Sequence, residues 1–350
     1  MAVRVSAILN FYIHRRYLED ALRSIASQES ARPLDVVILS PEPNIEISPR
    51  VEQLAAEQGH DLRVVPIPSV PAGAGLKIGA TAARGDYLAI LDDDDLWEPG
   101  KVRWIEIACE QLPEVGYLHN SQRFVDSANR PLSPLNPHRL VRHPSSLLPE
   151  GRSLAVDTHD VRSIARSMAF APDFNNSSCV IDRSVLVGAS PAIEMVTRGE
   201  DSFLFYVALL SGRPMFLTSN RYTRYRLHSA ASTAAEPSAG VGAARLSGYI
   251  SYADDHIAML DLIRRHLILQ VTSPAVREWL AHDIAFWSVL RGVASAQLHS
   301  QSGVDTLREL LGGTRVRPRS REVYAAIWGV ASFLAPRFTQ SAFVGWRHVW

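Results

Sequence analysis

Cysteine is scarce: Cys109 and Cys179 are the only two among 350 residues. That is too few for a disulfide framework, and they lack metal-ligand spacing, so both are expected to be reduced, buried thiols. Excess charge is missing as well. Lys+Arg and Asp+Glu each total 36, which removes the electrostatic ground for a nucleic-acid partner. Long hydrophobic runs are absent. The richest, "VYAAIWGVASFLAP", falls short of the roughly 20 residues a spanning helix needs. The opening "MAVRVSAILNFYIHRR" has no clear small-residue cleavage site and reads as a first buried strand. A cytoplasmic location is expected, with peripheral membrane contact left open. "LNFYIHRR" also contains no glycine, which argues against the Gly-rich phosphate loop of a nucleotidyltransferase.

What is present is an ordinary globular composition, 47% hydrophobic, with enough chain for one large or two modest cores. The first half alternates strands with helices. Apolar strands are expected at 3–9, 34–39, 62–67 and 87–91, with helices at 15–28, 51–58, 75–83 and 101–112 between or after them. Residues 116–120 read as a further strand. Continuous apolar strands separated by helices imply a parallel sheet covered on both faces. Residues 121–171 are rich in Pro, His, Arg and Ser with weak periodicity, and are expected to form a long irregular insertion. After the linker-like "EPSAGVGAA" at 236–244, apolar residues step by three or four, as in a packed helical subdomain.

The chemistry concentrates in "YLAILDDDDLW". Asp92–Asp95 directly follow the fourth strand, on the side of a parallel sheet where ligands bind. Clustered carboxylates are hard oxygen ligands suited to Mg²⁺ or Mn²⁺. If the run stays extended, Asp92 and Asp94 face the same way and Asp93 and Asp95 the other. A purely structural acidic turn, with Asp95 capping the next helix, is the alternative. Two further groups accompany the cluster. Glu200 and Asp201 open a predicted helix, where they either complement the helix dipole or supply a general base. "RYTRYRLHSAAST" places Arg224, Arg226 and His228 in an expected loop, able to pair with phosphate or ligate a cation.

In this order the motifs resemble those of the family-2 glycosyltransferases, inverting enzymes of the GT-A fold. The likeness covers about residues 3–233, through "VSAILNFYIHRRYLEDALRSI", "GATAARGDYLAILDDDDLW", "SSCVIDRSVL", "GEDSFL" and "YRLHSAAST". The resemblance implies metal handling by Asp94, Asp92 and His228, with Asp94 the direct ligand and Asp92 nearer the ribose. It makes Asp201 the catalytic base with Glu200 beside it, and puts Arg226 and His228 on a late loop that closes over the diphosphate. The donor side would comprise Asn10, Phe11, Tyr12, Ser40, Glu42, Lys77, Asp92, Asp93 and Arg226.

Departures from the family pattern fall on that nucleotide side. Asn10-Phe11-Tyr12-Ile13 stand where the family usually has Pro-Thr-Tyr-Asn, Ser40 where an Asp commonly reads the base, and Lys77 where Asn is usual. Lys77 would reach a phosphate or form an exposed salt bridge.

The resulting expectation is a metal-dependent glycosyltransferase, hexosyltransferase-like, with Mn²⁺ or Mg²⁺ as cofactor. Its donor would be a nucleotide sugar, first a UDP-sugar, and its acceptor a carbohydrate, lipid-linked or small molecule. The domain plan is a GT-A domain over 1–235, with a nucleotide-sugar-binding half (1–120) and an acceptor half (121–235). A helical C-terminal subdomain over 241–350 would shape the acceptor side, with peripheral membrane contact or a homodimer contact through its helices left open. A catalytically inactive GT-A protein that binds a sugar nucleotide or a protein is the alternative.

Overall fold

The computed structural model describes residues 3–11, 14–132, 144–228, 243–267 and 273–299. Its first half runs β1 (Val5–Asn10), α1 (Arg15–Ala26), β2 (Asp35–Ser40), α2 (Pro49–Gln58), β3 (Asp61–Pro66), α3 (Ala72–Ala82), β4 (Tyr87–Asp92), β5 (Leu96–Trp97) and α4 (Lys101–Gln111). There follow β6 (Tyr117–Val125), α5 (Pro144–Leu147), β7 (Ser153–Val156), α6 (Val161–Ser167), β8 (Cys179–Asp182), α7 (Arg183–Gly188), α8 (Ser190–Ile193), α9 (Glu200–Ser211), β9 (Met215–Arg226), α10 (Ala243–His266) and α11 (Pro274–His299).

The sheet order is β3-β2-β1-β4-β8-β6-β9-β5, with β7 paired to β9. β1, β2, β3 and β4 run parallel; β8 enters antiparallel between β4 and β6. Strand order reverses at β1, whose neighbours are β2 and β4, so a crevice opens beyond its carboxyl end. There Asn10 is the register partner of Asp92.

Period-two alternation explains how one sheet serves two cores. In β1, Ile8 packs with α3, α7 and α9 on one face, while Ala7 and Leu9 pack with α1, α2 and α4 on the other. α1 buries Tyr17, Leu18, Ala21, Leu22 and Ile25, the face its sequence periodicity predicts. Each of its buried Leu and Ile side chains is worth roughly 1.5–3 kcal/mol. α2 starts at Ser48, whose hydroxyl accepts from Val51 N, and stops at Gly59 in the left-handed conformation at φ 73°, as helix caps require. α9 buries Phe203 through Leu209 without interruption, so it lies inside the protein with its N-terminus delivered to the crevice. From the C-terminal helices, Met259, Leu260, Ile263, Val276, Trp279 and Leu280 join the same apolar cluster as α9.

The expected insertion over 121–171 is more ordered than its sequence suggests. β6 continues to Val125, β7 pairs antiparallel with β9, and α6 follows. Polar residues build this part: Asn120 Nδ2 donates to Thr223 Oγ1 at 2.9 Å and Gln122 Nε2 to Ser178 Oγ at 2.9 Å. Hydrogen-bonded polar side chains carry no apolar periodicity, which is why the strand extension is silent in sequence. The C-terminal segment "GGTRVRPRSREVYAAIWGV" and most of the expected linker lie outside the described residues. Among the described residues no helix is long and apolar enough to cross a membrane.

Candidate active site

The acidic run does not stay extended. β4 ends at Asp92 and the chain turns, with Asp95 N donating to Asp92 O at 3.3 Å. The expected two-and-two alternation therefore fails, because a turn sends each carboxylate its own way. Asp93 Oδ2 accepts from His14 N at 2.9 Å. Asp94 Oδ2 lies 3.0 Å from His228 Nε2 and 3.9 Å from His14 Nε2. Asp95 Oδ1 accepts from Arg226 N at 2.8 Å. Asp95 does not cap α4, whose N-cap is Gly100. Asp92 keeps a buried Oδ1 with no hydrogen-bond partner.

These groups leave a strong negative field. Burial first, then Asp94, Asp95, Glu200 and Asp93, push the Asp92 carboxyl well above its ordinary range. Burial and Asp94 raise Asp95 too, against the opposing bond from Arg226. Carboxylates sharing one site resist simultaneous ionisation, and a divalent cation is the group that would relieve them. His14, Asp94 and His228 each offer one ligand atom, and these atoms lie within 4.8 Å of one another. The donor set and the unpartnered Asp92 oxygen both suit such an ion.

Arg224 and Arg226 belong to β9 and not to a loop, a correction to the sequence expectation. Two positions apart, they share one face of the strand, which pairs with β5 and β6. Arg226 is only 1% exposed. Its guanidinium donates to Asp94 O at 2.7 Å and Ser127 O at 3.2 Å, and lies 4.4 Å over the Tyr17 ring. It thus clamps the acidic turn from within the protein. Arg224 pairs with Glu98 at 2.6 Å.

Asp201 sits in the first turn of α9. Its Oδ2 accepts from Asn175 N at 2.8 Å and its Oδ1 from Ser202 N at 2.9 Å. Burial raises its pKa, while those two amides and the charge of His256 on α10 hold it down. The helical tail therefore bears electrostatically on this carboxylate. Glu200 stands next to it and faces the acidic corner closely enough to act on Asp92.

A short turn, Asn176–Ser178, ties the two carboxylate groups together. Asn175 adopts φ 69°, a conformation Asn tolerates better than most residues, and its backbone amide reaches Asp201. Ser177 Oγ accepts from Asp92 N at 3.1 Å. The Ser177 carbonyl takes Lys101 Nζ at 2.5 Å and Thr223 Oγ1 at 2.9 Å. Lys101 is fully buried, and that burial depresses its ammonium pKa to about 7. Sequence reasoning missed His14, Ser177 and Lys101. His14 stood next to the departures at the exit of β1, which was the one signal pointing to it.

On the donor side, Asn10 and Phe11 line a shallow, mainly apolar cleft with Leu39, Ile67, Val70 and Pro71. Ser40, Glu42 and Lys77 are not brought to its wall. Ser40 Oγ is engaged with the Glu42 backbone, Glu42 forms an ion pair with Arg15, and Lys77 on α3 forms one with Glu194. Tyr12 lies outside the described residues.

Against known proteins, residues 6–123 match the family model described as glycosyl transferase family 2. Over that segment the chain is similar to glycosyltransferase family 2. An uncharacterized glycosyltransferase of Nostoc sp. is 30% identical over 120 residues, 34% of this chain and 36% of that protein. The match thus spans about a third of the relative's length. S. aureus TarS, solved as residues 1–349 in complex with UDP-GlcNAc, superimposes with a TM-score of 0.54 at 12% identity, covering 97% of this chain and 91% of that one. The mannosyltransferase PcManGT from Pyrobaculum calidifontis, in complex with GDP-Man and Mn²⁺, gives a TM-score of 0.51 at 13% identity, covering 100% and 88%. At these identities the likeness shows the fold alone, the GT-A arrangement of sheet and helices. The family-2 match covers β1 through most of β6, and so includes the crevice and the acidic turn.

Proposed function

We propose that the chain is a metal-dependent, inverting glycosyltransferase that moves a sugar from a nucleoside-diphosphate sugar, first a UDP-sugar, to an acceptor hydroxyl. One observation carries this reading. The acidic turn after β4 meets His228 from the far end of β9 at 3.0 Å, beside the carboxylate pair that opens α9. Asp94, with Asp92 and His228, would hold Mn²⁺ or Mg²⁺. A divalent ion bound there neutralises charge on the departing diphosphate.

The protein's own residues do the rest. The apolar cleft at Asn10 and Phe11 receives the nucleoside. Asp201 accepts the proton of the acceptor hydroxyl as that oxygen attacks the anomeric carbon from the face opposite the diphosphate. A single in-line displacement of this kind inverts the anomeric configuration. Burial raises the basicity of Asp201, and the amides of Asn175 and Ser202 fix its orientation. The C-terminal helices bear on the acceptor side, as a helical subdomain acting beside the GT-A domain.

A second reading keeps the fold and drops the chemistry. Both oxygens of Asp201 already accept backbone amides, as a purely structural helix-start carboxylate would. Incubating the protein with a panel of nucleotide sugars and Mn²⁺ separates the two. Transfer, or slow donor hydrolysis lost on chelation, supports the enzyme. Binding with no turnover by any donor supports the inactive protein, and no binding at all sinks the enzyme and the sugar-nucleotide-binding form of the alternative.

A further inference from the structure

The exit of β1 carries a histidine, and the fold aims it at the acidic turn. His14 is tied there twice. Its backbone amide donates to Asp93 Oδ2 at 2.9 Å, and its ring Nε2 stands 3.9 Å from Asp94 Oδ2. His228 approaches the same Asp94 oxygen from the end of β9, and the two imidazoles meet edge to face with centroids 4.9 Å apart. Two distant chain segments thus converge on one carboxylate oxygen of a third. The side chains are 16%, 18% and 6% exposed for His14, Asp94 and His228.

We infer that His14 is a further protein ligand of the cation proposed above, so that two imidazoles join its carboxylates and the site favours Mn²⁺, Co²⁺ or Zn²⁺ over Mg²⁺. This deepens the proposed function and rests on its cation site. The ligand atoms all lie within 4.8 Å of one another. Neighbouring ligands around an ion with bonds of ~2.1 Å stand about 3 Å apart, so small side-chain rotations close the set. The preference follows from donor chemistry. Mg²⁺ demands oxygen ligands and gives up water reluctantly, whereas imidazole nitrogen suits the later first-row metals. The neighbouring carboxylates, including the unpartnered oxygen of Asp92, supply the negative field that a neutral histidine pair would lack.

The test is spectroscopic and needs no turnover. Mn²⁺ is added to the full chain with and without UDP, its binding is followed by loss of the free-ion electron paramagnetic resonance signal, and electron spin echo envelope modulation counts the coordinated imidazole nitrogens. Two coupled imidazoles are expected in the wild type and one in each of His14→Gln and His228→Gln. His14→Gln should lower Mn²⁺ affinity roughly tenfold or more, since even outer-shell partners are worth that much. His14→Asp, an oxygen donor, should restore affinity while losing the nitrogen signal and narrowing the Mn²⁺-over-Mg²⁺ ratio. That rescue separates ligation from a folding defect. A single imidazole in the wild type, unchanged by His14→Gln but abolished with Mn²⁺ binding in Asp94→Asn, overturns the role of His14 and leaves the cation site standing. No Mn²⁺ bound with or without UDP overturns both.

Discussion

Replacing Arg226 by Met removes a charge while keeping most of the buried stem. The guanidinium donates charge-assisted bonds to the Asp94 and Ser127 carbonyls, each worth roughly 1.5–3 kcal/mol. Its position over Tyr17 adds about 1–2 kcal/mol when desolvated. Such contributions do not add, and breaking a buried charge interaction on one side costs about 3–5 kcal/mol, so about 4 kcal/mol is expected. At roughly 1–2 °C per kcal/mol for a chain of 350 residues, the melting temperature falls by about 5 °C. Arg224→Met, two positions earlier on β9, is the internal control. Its partner is Glu98 and its side chain is 34% exposed, so about 1 kcal/mol is expected. Urea unfolding measures both. Asp95→Asn in the Arg226→Met background should recover stability, because it removes the carboxyl left without its opposing charge. Saturating Mn²⁺ with UDP should recover part of it too. Equal losses for the two arginines, or a loss within 1 kcal/mol for Arg226→Met, would refute the view that this cation clamps the acidic turn.

Three further outcomes are expected. Asp201→Asn should keep Mn²⁺–UDP binding by calorimetry but lose about 10²–10⁴-fold in transfer rate, and Asp94→Asn should lose both. In the wild type the rate should fall with acidification through a pKa above the ordinary carboxylate value of 3.8. His119 is fully buried, donates from Nε2 to Phe174 O, and has its pKa lowered to about 4. The unfolded chain takes up that proton near 6.5, so stability is lost as pH falls from 6.5 toward 4. At about 1.36 kcal/mol per pH unit the loss reaches about 3 kcal/mol, and His119→Gln should make the urea midpoint less pH-dependent over that window. Gly85→Ala would place a Cβ 2.5 Å from Ser6 N. Because that neighbour is the backbone of the central strand, a loss of about 1–3 kcal/mol is expected by chemical denaturation.

The parallel half of the sheet was legible because its strands are apolar on both faces and its helices carry a single stripe, as α1 shows with Tyr17, Leu18, Ala21, Leu22 and Ile25. Asp92–Asp95, Glu200–Asp201 and His228 stood out as charge placed at element ends. The extension of β6 did not, since Asn120 and Gln122 are held by hydrogen bonds and not by burial of apolar surface. Nor did the roles of Lys101 and Ser177. A lysine at the start of α4 reads as solvated surface until the fold closes over it.

By itself the sequence determined the order of strands and helices and the kind of atoms available at the crevice, because periodicity and residue chemistry are local properties. Only the tertiary structure decided which carboxylate faces which partner: that the run after β4 turns, that Arg226 lies beneath it, and that His14 and His228, more than two hundred residues apart, share Asp94. Such pairings depend on strand register and chain crossing over long separations. One residue's slip in β9 would turn Arg226 out toward the opposite face.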